Sequence, residues 1–109
     1  MHWCIVFFDE PYNKGENKER PIFILERDEE EVYFFRITSN QGEEHQKKYR
    51  PPLLNWRAYG LSRPSYINIE TPLLVRDLNY FSKATYIARA KDIDIQAVEN
   101  TLIELGFYE

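Results

Sequence analysis

Three residues of this chain combine a fixed positive charge with two hydroxyls: Arg20, Thr38 and Ser39. A guanidinium stays charged and can grip two oxygens of one phosphate with its planar fork. A hydroxyl can donate a hydrogen bond to the same group. Such a set suits a phosphate ester, and it can stabilise the charge that develops on the ester's oxygens during displacement. Each residue also has a plainer use. On the residues alone Arg20 reads first as a surface cation beside Glu16 or Glu19, and Thr38 as an ordinary strand residue, since threonine favours strands.

The remaining reactive side chains form no familiar pattern. His2 and His45 have no cysteine near them at metal-ligand spacing, so neither a metal nor a cofactor is expected. His45, in the loop after Ser39, is the conventional type of general base. Cys4 is the single cysteine, which excludes an intrachain disulfide, and its apolar neighbours favour a small buried residue over a nucleophile. There is no P-loop, G-x-G-x-x-G, H-E-x-x-H or G-x-S-x-G.

Charge sets a further limit. The formal net charge is −4 and the sequence pI about 5.2. A basic footprint over the whole surface is thereby excluded, while a local basic cleft is not. Positive residues cluster at Lys14, Lys18 and Arg20, at Lys47, Lys48 and Arg50, and at Arg57 and Arg63. Trp56 reads first as core or rim packing and second as a platform for stacking unpaired bases. Ser65 begins a strand-like run.

The elements that would position these groups follow from residue order. The chain has 109 residues, 43% hydrophobic and 16% aromatic, which supplies one core and one domain over 1–109. Residues 2–8 form a dense apolar strand, 9–19 a polar loop, and Pro21 to Glu26 a second strand opened by proline. A short acidic turn leads to a third strand, Glu31 to Thr38. In an antiparallel hairpin the start of one strand lies opposite the end of the next, so Arg20 and Thr38 should be neighbours. Ser39 to Lys48 reads as a loop, and Tyr49 to Leu54 as an irregular extended segment because of Pro51 and Pro52. Asn55 to Tyr59 reads as a helical turn stopped by Gly60. Ser65 to Ile69, Leu73 to Val75 and Thr85 to Ile87 are further short extended segments. Then the period changes: Ile95, Val98, Leu102 and Leu105 fall on one helical face, with Asp92 as N-cap and Gly106 as stop. The expectation is a mainly β body closed by one C-terminal amphipathic helix. No apolar run of membrane-spanning length and no signal peptide are read, which points to a soluble, cytoplasmic chain.

Four segments, in order, resemble the MazF/PemK family of type II toxin–antitoxin endoribonucleases. They are Arg20-Pro21-Ile22-Phe23-Ile24-Leu25, Ile37-Thr38-Ser39, Gly60-Leu61 with Pro64-Ser65-Tyr66, and Ile87-Ala88-Arg89 followed by Asp94. The resemblance implies an SH3-like small β-barrel with a C-terminal helix, found as a homodimer. It implies a hydrolase-type, metal-independent cleavage of single-stranded RNA such as mRNA, and a cognate antitoxin protein as partner. Arg20 and Thr38 occupy the places of the family's catalytic pair. Ser39, Lys14, Lys18, Trp56 and Ser65 are the accompanying candidates for RNA-binding. The chain departs from the family where Ala88 replaces a glycine of the late strand, and where Ala90-Lys91 replaces Leu-Ser before the helix. A second expectation therefore stands beside the first: a catalytically weak or inactive toxin-like domain acting as a protein-interaction module. A third, a plain SH3-like binder of proline-rich peptides, lacks the paired surface aromatics such a groove requires.

Overall fold

In the computed structural model the described residues are 4–11, 17–69, 73–77, 79 and 85–106. They form six strands and one α-helix: β1 (Cys4–Pro11), β2 (Asn17–Arg27), β3 (Glu31–Thr38), β4 (Tyr66–Asn68), β5 (Leu74–Asp77), β6 (Thr85–Arg89) and α1 (Asp92–Glu104). A 3-10 helix, Glu44–Tyr49, lies between β3 and β4. All strand pairings are antiparallel, and the sheet order is β4-β3-β2-β1-β6, with β5 also paired to β3. Among the described residues the sheet is open, with β4 and β5 on one side and β6 on the other. The chain is thus mainly β, antiparallel, with one C-terminal helix, as the residue pattern led one to expect. No helix of the described residues is long and apolar enough to cross a membrane.

The meander β1–β2–β3 is longer than the sequence suggests. The polar segment after Phe8 is not all loop: Asp9 pairs with Glu19, Glu10 with Lys18 and Pro11 with Asn17. Hydrophobicity marks where a strand is buried, whereas the ladder continues wherever backbone groups find partners. Consequently Pro21 is not the first residue of its strand but lies inside β2, opposite Phe7. The β3 pairing begins only at Ile22, so β2 has one partnered edge at the proline. The turn between β2 and β3 is held by Asp28, whose Oδ1 accepts from Glu30 N at 2.8 Å and Glu31 N at 2.7 Å. These two bonds, that from Glu30 first, hold the Asp28 carboxyl below its ordinary value.

The sheet is buried on both faces over part of its length. On one face Ile5, Phe23, Phe35, Ile37 and Ile67 join Ile95, Val98 and Leu102 of α1 in a single cluster. Leu105 packs at its margin. The predicted helical stripe therefore does bury itself on the sheet. The alternate residues Ile22, Ile24, Val32 and Phe34 are buried on the opposite face. A register shift at Leu25, between Ile24 and Glu26, marks an irregularity in β2, where a bulge sharpens local twist.

Two local expectations change, and a third holds. The N-cap of α1 is Lys91 in extended conformation, and Asp92 stands in the first turn, where its charge still complements the helix dipole. The Ser39–Lys48 segment is not wholly loop, since Gln46 and Glu43 form a reciprocal capping box that starts the 3-10 helix. Gly106 does take a left-handed conformation past the helix, at φ 81°.

Candidate functional site

At the end of the sheet where β3 finishes, the face opposite α1 changes from apolar to polar. Ile22 pairs with Arg36, and Arg36 with Asn68, forming one rung across β2, β3 and β4. The next rung pairs Thr38 with Tyr66. Continuing the β2–β3 register by two residues brings Arg20 level with Thr38. Alternation along the strands puts Arg20, Arg36, Thr38 and Asn68 on one face. They line a cleft of 700 Å³, together with Ser39 and the 60–65 loop, which contributes Gly60, Leu61, Ser62, Arg63 and Ser65.

Among the described residues, the charge lining this cleft is opposite to that of the chain. Three arginines line it, Arg20, Arg36 and Arg63, and no carboxylate does so among the described residues. Arg20, Arg36 and Thr38 are half-buried, and Ser39 and Arg63 exposed. Arginines held at a partly desolvated surface attract an anion more strongly than the same charges in open water.

The sequence candidates fare differently. Arg20, Thr38, Ser39 and Ser65 come together at the cleft. Arg20 sits within β2, opposite Phe8, and not in a loop before the strand. Thr38 Oγ1 accepts from Asn40 N at 3.1 Å, which leaves its hydroxyl proton to donate. Ser65 is buried, and its hydroxyl donates to Arg63 O at 2.9 Å, so its hydrogen bond shapes the cleft wall. Trp56 is not among the lining residues. It packs against the main core, with the Arg57 guanidinium 4.9 Å from its ring centroid. Lys14 lies outside the described residues, and of Lys18 only its backbone place in β2, opposite Glu10, is described.

His45 is exposed on the 3-10 helix beside Glu43 and does not line the cleft. Lys47 is exposed and pairs with Glu44 at 3.0 Å, and Lys48 lies 4.9 Å from the Tyr49 ring centroid. Arg50 Nη1 donates to Asn40 O at 2.7 Å, tethering the segment that follows Ser39. No cluster of three or more metal-ligating side chains occurs among the described residues.

Arg36 and Asn68 were missed by the sequence reading. Arg36 carried a usable signal, since it stands two residues before Thr38 and must share its face in a strand. Asn68 carried none, because its place depends on how β4 pairs with β3.

A second polar assembly joins the start of α1 to the 54–59 turn. Asp94 is fully buried and accepts from Leu54 N at 2.7 Å, Asn55 N at 3.3 Å and Asn55 Nδ2 at 3.2 Å. It also accepts from the Tyr59 hydroxyl, which in turn accepts from Lys91 N at 2.8 Å. Burial, and then the bond to Asp94, push the Tyr59 hydroxyl well above its ordinary value, so it remains a donor. The network ties the start of α1 to the 54–59 turn, directly before Gly60 and the cleft wall. Gly60 ends that turn at φ 75°, a conformation that favours glycine.

No family model, characterised protein or solved structure matches this chain.

Proposed function

We propose that the cleft binds single-stranded RNA and that the chain is a metal-independent endoribonuclease of the MazF/PemK kind, the toxin of a toxin–antitoxin pair. The observation that carries this reading is the local reversal of charge: among the described residues, three arginines and three accessible hydroxyl residues, Thr38, Ser39 and Ser62, line one cleft of a chain whose net charge is −4. The four segments resembling that family add to it, because two of them supply Arg20 and Thr38 to this cleft.

The chemistry is an in-line transesterification. The ribose 2′-oxygen attacks phosphorus, the bond to the 5′-oxygen breaks, and the products are a 2′,3′-cyclic phosphate and a 5′-hydroxyl. Arg20 holds the non-bridging oxygens as they gain charge, and the Thr38 hydroxyl donates to one of them. No histidine or carboxylate lines the cleft among the described residues. Arg20 is a charged guanidinium that can donate but not accept a proton, so water takes the 2′-hydroxyl proton and returns one to the departing 5′-oxygen, while the charge of Arg20 and the Thr38 hydroxyl stabilise the transition state.

The test is incubation of the purified protein with a long single-stranded RNA in EDTA, followed by analysis of fragment ends. Discrete fragments with 2′,3′-cyclic phosphate and 5′-hydroxyl ends are expected. Intact RNA would sink the nuclease reading. A second reading, a catalytically weak domain that binds without cutting, is favoured by a lining that holds no histidine or carboxylate among the described residues. Retention of the RNA without cleavage would select it.

The rest of the family's architecture belongs to the same proposal: an SH3-like barrel, a homodimer, cytoplasmic action and an antitoxin whose acidic segment competes for the arginines. Sedimentation at micromolar concentration tests the dimer, and a monomeric mass would remove that part.

A further inference from the structure

The geometry points to a second phosphate subsite, formed by Arg36 with Asn68 beside it, so that the cleft grips two successive phosphates of one strand. This rests on reading the cleft as a nucleic-acid site and goes beyond it in naming a second anchor. Arg20 stands on β2 level with Thr38, whereas Arg36 stands on β3 one rung away, opposite Asn68. A rung of two residues advances about 6.6 Å along a strand, and neighbouring strands lie about 4.8 Å apart. Two arginines whose backbone positions are offset in both directions suit separate phosphates of an extended strand. Converging on one phosphate would crowd two like charges. The cleft volume of 700 Å³ is also far more than one phosphodiester group occupies. Asn68, opposite Arg36 on β4, brings an uncharged amide to the same position. Arg20 would then hold the reacting phosphate and Arg36 its neighbour, which makes Arg36 a binding residue for strand length and not part of the bond-breaking step.

The test uses a fluorescent ten-nucleotide thymidine DNA, which has no 2′-hydroxyl and stays intact, with anisotropy read over a salt series. Each phosphate contact on a single strand contributes about 0.7 to the slope of log affinity against log salt. Arg36→Met should lower that slope by about 0.7 and weaken binding about fivefold at 0.1 M salt. Lys48→Met, the same charge change outside the cleft, should alter neither. Arg20→Met with Arg36→Met should lower the slope by about 1.4, the sum expected for two phosphates. Arg36→Lys should keep the slope, and it separates charge from folding should the Met variant fail to show a native circular dichroism spectrum. The subsite is overturned by an Arg36→Met slope equal to that of wild type, or by a double variant that loses no more than either single one. It is also overturned by wild-type protein that does not bind the strand. Cleavage abolished by Arg20→Ala, with an unchanged Arg36→Met slope, would remove the subsite and keep the nuclease. A lowered slope in a protein that cuts no RNA would do the reverse.

Discussion

The Asp94 network and the arginine cleft use similar groups to opposite ends. Asp94 has no exposure, and four donors from Leu54, Asn55 and Tyr59 surround its two oxygens. A buried carboxyl group is tolerated when its bonding capacity is met in this way. At the cleft, Arg20, Arg36 and Thr38 are half-buried and face an open volume. The first assembly closes on itself and fixes α1 to the 54–59 turn. The second lines a cleft that is open to solvent. Their difference teaches that polarity alone does not mark a site. What marks it is polar groups held in place beside space that a ligand can fill.

The comparison can be broken by asking which assembly governs activity and which governs stability. The largest effect is expected from Arg20→Ala, which should lower RNA cleavage by about 10²–10³, or 2.7–4 kcal/mol, with a nearly unchanged thermal midpoint. Cleavage at the wild-type rate would remove Arg20 from the site. Asp94→Ala should act the other way and destabilise by about 3 kcal/mol in a urea titration, because several buried donors lose their acceptor. An unchanged midpoint would mean that the network does not hold the helix.

Two smaller changes sharpen the contrast. Tyr59→Phe removes one donor to Asp94 and the acceptor of Lys91 N, and should cost about 1–2 kcal/mol in the same titration. Thr38→Val keeps the strand shape and removes a hydroxyl, so cleavage should fall about tenfold with stability retained. Equal losses of stability from these two changes would erase the distinction between the assemblies.

The smallest effect concerns pH and lies outside both. The Asp28 carboxyl is depressed in the fold by the Glu30 and Glu31 amides. Its contribution is present above the ordinary carboxylate range and is lost as pH falls through the depressed value. Because Asp28 is exposed at a turn, Asp28→Asn should flatten the acid limb of a stability–pH curve only slightly. A large shift would show that the turn matters more to the fold than its exposure implies.

Much of this molecule could be read without coordinates. The span of β3, Glu31 to Thr38, is that of the sequence reading, because its aromatic and β-branched residues leave no competing period. The face of α1 followed from Ile95, Val98 and Leu102 alone, since 3.6-residue periodicity is a local property. The approach of Arg20 to Thr38 followed from hairpin geometry, which depends only on the order of two adjacent strands.

Other features were out of reach for one physical reason: their partners are distant in sequence. Asp94 meets Leu54 and Asn55 across about forty residues, and nothing in the local pattern of the helix distinguishes it from the exposed Asp92. Trp56 went to the core margin because of how its turn packs, which composition cannot specify. Asn68 reached the cleft through β4–β3 register, and Arg63 through the loop that Ser65 braces. Local sequence thus determined which segments are strand or helix and which side each residue takes. Only tertiary pairing decided which polar residues were buried together as structure and which were left facing a cleft, because burial and charge environment are set by neighbours that the chain brings from far away.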